Sequence, residues 1–419
     1  NIQQLLPGQI FEISQGGIKK NEFWNISKNN HKMDEKEYVE LIYKNLEKSV
    51  KMQLRSDVDL ACFLSGGLDS SAVTAIASKN YSKKLKTFSV VYDEKIRRKN
   101  QDNKYSKMIA EKFDTDHYEL FLDEKKIFNN IEKALSAFDQ PFSGAITTYF
   151  LSEMVSKYVK VALTGDGADE LFGSYSFPRI IEPIELLKKN GIEFKNFIKN
   201  TKEYSKKTLF LKAMSKKTIE EIKISLFSIN SEEKEKLLNK NYYKGEDNLI
   251  NYFKNININY NSNSDDMINS ALSIDFKSLL PDQVLSFVDI LSMQHSLEIR
   301  PPFLDNELID IAFKIPGNLK IKHSNPKVIL KKALRPLLPD EIIDRPKEGF
   351  VMPIEEMFIK EKKDYISNVL SKRNIKKHDL FNYDYLKILI DNIMTNSFRK
   401  NNIIWTLFSF QLWWNKNFN

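Results

Sequence analysis

Residues 62–71 read CFLSGGLDSS. A short apolar run ends in a stretch that holds two glycines, an aspartate and three hydroxyls before the pattern turns helical in SSAVTAIASK. Gly66 and Gly67 let the backbone approach an anion closely. Free N–H groups at the start of the next helix favour negative charge there. Ser65, Ser70 and Ser71 can donate to phosphate oxygens. Asp69 would be repelled by a phosphate, so its presence calls for a Mg2+ between the two. The pattern GxxxxGK[ST] is absent, so this is not the common phosphate loop.

Outward from this stretch, strands and helices alternate. DLACFLS, KLKTFSVVY, HYELFL and VKVALTG read as strands, separated by helical segments around SSAVTAIASK, YSKMIAEKF, IEKALSAF and TTYFLSEMVSKY. Such alternation predicts an α/β fold with a doubly wound, mostly parallel sheet. Both glycine-bearing loops, at 65–70 and 165–167, fall at the carboxyl ends of strands, where such sheets bind ligands. Before the sheet, Tyr38, Leu41, Ile42, Leu46 and Val50 recur at helical spacing, and LLPGQIFEI and IKKNEFWNI flank SQGG as in a hairpin. Residues 180–270 are Lys-, Asn- and Glu-rich and read as a variable helical insert, with NININYNSNSDD at 255–266 as a loop. A helical C-terminal extension follows, ending in the apolar IIWTLFSFQLWW at 403–414, which reads as a buried helix too short to span a bilayer.

The chain has 419 residues, 42% hydrophobic and 29% charged, as in folded soluble proteins. Sixty-four basic residues face 56 acidic ones, a net charge of +8 that is small for this length. No Lys/Arg stripe with interleaved aromatics marks a nucleic-acid groove, and no membrane association is expected. Cys62 is the only cysteine, which excludes an internal disulfide and fits a cytoplasmic location. Its place on the strand beneath the loop makes it inert. The chain opens on Asn1 without a signal peptide, so its natural start is expected upstream or removed.

The SGGLDS loop resembles the pyrophosphate-binding loop of the N-type ATP pyrophosphatases, which cut ATP between its α and β phosphates. A second stretch, LTGDGADELFGSY at 163–175, narrows the resemblance to the synthetase domain of the glutamine-hydrolysing asparagine synthetases, where the usual form is S/T-G-E/D-G-A/G-D-E-L-F-G-G-Y. Asp166, Asp169 and Glu170 crowd three carboxylates into five residues, costly without a cation or a shared proton. A Mg2+ on Asp69 and Asp169 would relieve this, leaving Asp166 to accept a proton from incoming ammonia. Asp166 stands where the family often has Glu. Further matches are MQHSLEIRPPFLDNELIDIAFKIP at 293–316, NPKVILKKAL at 325–334 and LPDEIIDRPKEGFVMP at 338–353. Lys347, flanked by Arg345, Gly349 and Phe350, is the candidate catalytic cation, positioned to stabilise charge on the α-phosphate and leaving group. His117, in HYEL, reads as structural.

The resemblance runs from about residue 5 to 414 and implies the adenine nucleotide alpha hydrolase-like fold. Residues 1–30 resemble the junction to an N-terminal glutaminase domain, and 31–419 the ATP-dependent synthetase domain. The implied reaction adenylylates the side-chain carboxylate of aspartate, using ATP and Mg2+, and then aminates it to asparagine. Leu64 and Val90 are placed at the adenine, and Thr164 with Gly165 on the nucleotide's other face. Ammonia would be free, or derived from glutamine by a glutaminase domain in cis or in trans; a homodimer is compatible with the resemblance.

Two departures concern the acceptor. Phe287 and Ile290 stand in LPDQVLSFVDI where the family often has Lys and Arg, and the usual D-x-P-x-x-D-x-S-A loop is shortened to DQPFSGAITT at 139–148. They favour a rival in which the same chemistry acts on a sugar acid or peptide carboxylate. A tRNA-modifying pyrophosphatase and an inactive partner subunit are the other rivals. The asparagine-synthetase motifs oppose the first and the intact loops oppose the second.

Overall fold

A computed structural model describes residues 5–26, 33–93, 101–189, 206–243, 248–261, 266–345, 362–391 and 398–418. The N-terminal hairpin is present as β1 (Gln9–Ser14) paired antiparallel with β2 (Gly17–Glu22). Helix α1 (Glu35–Gln53) starts at Asp34, whose carboxylate accepts from the Glu37 N–H while Glu37 reaches back, a reciprocal cap. It buries Tyr38, Ile42, Leu46 and Val50, the face that the spacing anticipates.

The sheet comprises β3 (Leu60–Phe63), β4 (Lys86–Tyr92), β5 (Asp116–Leu122), β6 (Val161–Leu163) and β7 (Glu298–Arg300). All its pairings are parallel, in the order β5-β4-β3-β6-β7. Strands 3 to 5 wind outward to one side of β3, and β6 and β7 lie on the other. The order therefore reverses between β3 and β6, and the loops after these two strands flank that switch. Strand β7, in SLEIRPPFL, is one that the alternation does not announce, being three residues long with a charge at each end.

Period-two alternation divides the core in two. Leu60, Cys62 and Leu64 point into one apolar cluster with α1 and α2 (Leu68–Asn80). Ala61, Phe88, Val90, Leu120 and Leu122 belong to the cluster on the other face, with α4 (Glu124–Leu135), α5 (Thr147–Val155) and the helix Phe398–Phe418. Helix α3 (Gln101–Lys112) lies between β4 and β5 in the chain, and α6 (Ala168–Phe172) follows β6. Cys62 is fully buried, and burial pushes its thiol up to about 12, as expected of an inert cysteine. His117 bridges Thr87 and Ser89 hydroxyls at 2.9 and 3.2 Å, and burial lowers its pKa, so it is a neutral structural residue.

The insert contains helices Lys206–Met214, Ile219–Ser225, Ser231–Leu237 and Leu249–Asn261. The last corrects the loop expected at 255–266, whose first seven residues are helical. The isoleucines of NININ obscured the period there by alternating with asparagine. A buried pair, Lys223 with Asp275, ties the insert to helix Met267–Lys277. The C-terminal apolar run is a helix, and it anchors the shortened loop: Trp405 Nε1 donates to the Ser143 carbonyl at 2.7 Å and Trp413 Nε1 to that of Asp139 at 2.9 Å. Among the described residues no helix is long and apolar enough to cross a membrane.

Candidate active site

The chain leaves β3 with the Leu64 N–H still bound to the Phe88 carbonyl, 2.8 Å away. It then turns through Gly66 at φ +70°, a conformation that side chains other than glycine's resist. A Cβ at Gly66 would also lie 2.5 Å from the Ser106 nitrogen, so the loop packs directly on the α3 backbone. Ser65 and Ser70 share a hydroxyl contact of 3.1 Å across the loop, and the Gly67 N–H faces the Ser65 hydroxyl at 3.3 Å. Gly67 caps α2 without a side chain, which leaves the helix start open to a ligand's oxygens. Ser71 is fully buried beneath this turn.

The second loop leaves β6 with the Thr164 N–H bound to the Arg300 carbonyl of β7 at 3.0 Å. A Cβ at Gly165 would meet the Ser70 nitrogen at 2.7 Å and the Asp69 Cβ at 2.8 Å, so the two glycine loops are in contact here. The Thr164 hydroxyl donates to Asp166 Oδ2 at 2.7 Å. Burial raises this carboxyl to about 6, against the Thr164 bond, and Asp169 and Asp69 raise it further. Asp166 is half-buried as a residue, but its carboxyl group lies deep. Glu170 goes up to about 7, through burial first and Asp169 second. Tyr175 donates to its Oε1 at 2.8 Å, and its buried Oε2 has no hydrogen-bond partner among the described residues.

The cation for this acidic cluster comes from far along the chain. Lys327 Nζ lies 2.6 Å from Asp69 Oδ2 and is also paired with Asp169 Oδ1. Its side chain is 5% exposed. Lys327 has φ +58°, and its N–H donates to the Phe172 carbonyl at 3.2 Å, fixing it at the start of helix Val328–Leu334. Burial alone would lower its pKa, but Asp169 and Asp69 more than offset this and raise it, so the amine is an ammonium. The two carboxylates singled out for Mg2+ thus converge, and they already hold an ammonium between them. Oxygen-only donors from two carboxylates suit a hard divalent ion, so Asp69 and Asp169 fit Mg2+.

Leu64 and Val90 are both buried but point into opposite core clusters, so these two side chains do not converge. Lys347, Gly349 and Phe350 lie outside the described residues. In the shortened loop, Phe142 stacks on Phe138 with centroids 4.0 Å apart and lies 5.9 Å from Phe287. A Cβ at Gly144 would strike the Phe142 ring at 2.3 Å, so the short loop is closed over an aromatic group. The Tyr92–Thr147 bond, 2.6 Å, holds the end of this loop at the carboxyl end of β4.

The family model for asparagine synthase matches residues 41–415. The chain belongs to the asparagine synthase family. It is similar to asparagine synthetase (glutamine-hydrolyzing) 1 of Bacillus subtilis strain 168, 28% identical over 99% of this chain and 65% of that one. Asparagine synthetase (glutamine-hydrolyzing) 3 of the same strain is 25% identical over 93% of this chain and 61% of its own. The amidase chyE of Penicillium rubens is 24% identical over 84% of this chain and 58% of its own. The chain therefore spans less than two thirds of the length of each of these relatives. As a family member it has the expected α/β synthetase architecture. Lys327 is the site residue that the sequence motifs do not single out: it stands in NPKVILKKAL, whose match to the family assigns its first lysine no role. The demand for a cation among the crowded carboxylates was the signal that could have found it.

Proposed function

We propose that the chain is the synthetase half of an amide-forming ligase that adenylylates the β-carboxylate of aspartate and aminates it to asparagine. The observation that carries this reading is the contact of two glycine loops at the sheet's switch point, one shaped for phosphate and the other bearing a raised carboxyl. A carboxylate oxygen attacks the α-phosphorus of ATP, and the bond to the oxygen bridging the α and β phosphates breaks. Ser65, Gly66, Gly67 and Ser70 hold the departing pyrophosphate, with Ser71 buried beneath them. Lys347 stabilises the charge that builds on the phosphates. Mg2+ bound by Asp69 and Asp169 would supply further charge neutralisation. Ammonia then attacks the acyl carbon, AMP leaves, and Asp166 takes a proton from the attacking nitrogen.

The ammonia is free, or delivered by a glutaminase domain in cis or in trans. One face of the β1–β2 hairpin supports such a partner: Ile13 and Ile18 pair across it, 76% and 69% exposed, with Phe11 beside them. Large apolar side chains grouped in the open mark a surface meant to be covered.

A second acceptor is favoured by the aromatic residues of the shortened loop, where Phe142 stacks on Phe138 and lies near Phe287. Aromatic rings beside the acceptor would suit a bulkier carboxylate better than a free amino acid, which needs charged partners. Supplying the purified chain with ATP, Mg2+, aspartate and ammonium tests both readings. The first predicts AMP, pyrophosphate and asparagine in equal amounts. ADP as product would sink the adenylylation chemistry. AMP formed with other carboxylates but not with aspartate would leave the second reading standing alone.

A further inference from the structure

Arg345 has a 5% exposed side chain wedged between the first glycine loop and α3. Its Nη1 donates to the Gly66 carbonyl at 3.0 Å. Its Nη2 is paired with Asp102 on α3. Its guanidinium carbon lies 4.4 Å over the Tyr105 ring, also on α3. Each contact uses a different property of the group: a directed donor, a charge and a flat face.

The Gly66 contact bears on the phosphate loop. Gly66 sits at φ +70° between residues with small side chains, and such a peptide can turn over with little steric resistance. In one orientation the Gly66–Gly67 unit offers the ligand an N–H, in the other a carbonyl, which repels an anion. The described peptide bonds are all trans, so the carbonyl and the following N–H point in opposite directions. With the Gly66 carbonyl held by Arg345 on the α3 side, the Gly67 N–H is turned the other way, toward the Ser65 and Ser70 hydroxyls. Asp102 compensates the buried guanidinium charge, which would otherwise be costly.

We propose that Arg345 is a positioning residue that locks the Gly66–Gly67 peptide with its N–H, not its carbonyl, toward the pyrophosphate portion of the nucleotide. The assignment rests on the ATP reading above and adds to it a residue that need not touch the substrate. It also fixes the point from which the chain runs on to Lys347, two residues later.

The test compares how much more tightly MgATP binds than AMP, by calorimetry on the full chain. Only the β and γ phosphates distinguish these ligands. Arg345→Ala is expected to cut the ATP-over-AMP preference about 10- to 100-fold, the value of a charge-assisted hydrogen bond, while AMP affinity holds. Arg345→Lys can satisfy Asp102 but not the fork, so it should fold and still lose most of the preference. It stands in if the alanine variant does not fold. Asp102→Asn, which leaves the Gly66 bond in place, should lose less. A folded Arg345 variant with the unmodified preference overturns the proposal, as does an equal loss of ATP and AMP affinity, which would mean general disruption. If the unmodified chain binds no ATP, or binds it no better than AMP, the nucleotide reading itself fails and this one with it.

Discussion

Lys327→Met is expected to lower the unfolding free energy at pH 7 by about 3–5 kcal/mol, the cost of stranding buried charges by removing their partner. Asp69 and Asp169 would face each other, and Asp166 and Glu170, with no ammonium between them. Methionine matches the length of the stem, so lost packing contributes little. The wild-type sign is fixed by the raised amine: its contribution is fully present below the ordinary lysine range and is lost only as pH rises through the still higher folded value. At pH 7 the whole effect is therefore in view. The cost should shrink toward pH 5, as protons relieve the crowding of the carboxylates that have lost the ammonium. Millimolar Mg2+ should stabilise the variant more than the wild type, since the two carboxylates then lack their ammonium. Urea unfolding at both pH values, with and without Mg2+, checks this. A cost below about 1 kcal/mol, typical of an exposed ion pair, would show that the bridge is not what holds the loops together.

Asp166→Asn separates the two half-reactions. The substitution keeps an oxygen for the Thr164 hydroxyl but removes the proton acceptor. Amide formation should fall about 10²- to 10⁴-fold, the usual contribution of a positioned base, while formation of the acyl-adenylate changes little. The pH dependence follows from the carboxyl itself. Burial holds its proton to about pH 6, so it accepts one from ammonia only above that value. Wild-type amide formation should rise as pH passes from 5 to 7, on a limb broadened by Glu170 titrating near 7. The Asn variant should lose the lower part of that limb. A raised carboxyl contributes stability that is lost as pH climbs through its folded value, so the variant should be no less stable than wild type at pH 7. Equal losses in adenylylation and amination would contradict the assigned role.

The glycine loops were legible because their signal is local. A short apolar strand, glycines that let the backbone close on a neighbour, and a following helix are written within ten residues, and Gly66 and Gly165 sit where a Cβ would strike α3 or the other loop. The alternating strands fixed the sheet for the same reason. Lys327 was not legible in this way. It is 258 residues from Asp69 and is one of many lysines in the chain. Only the fold brings it to the carboxylates. Strand β7 was too short to show a period, and the helix through 255–261 was hidden by alternating Asn and Ile.

The most direct test of the central claim is exchange of labelled pyrophosphate into ATP by the purified chain with Mg2+ and aspartate, with Lys347→Ala alongside. Exchange requires reversible cleavage of ATP between its α and β phosphates and capture of the activated carboxylate. Exchange that needs aspartate and disappears in the variant is the predicted result. ATP bound without exchange, for aspartate or for any carboxylate supplied, would contradict adenylylation as the function of this chain.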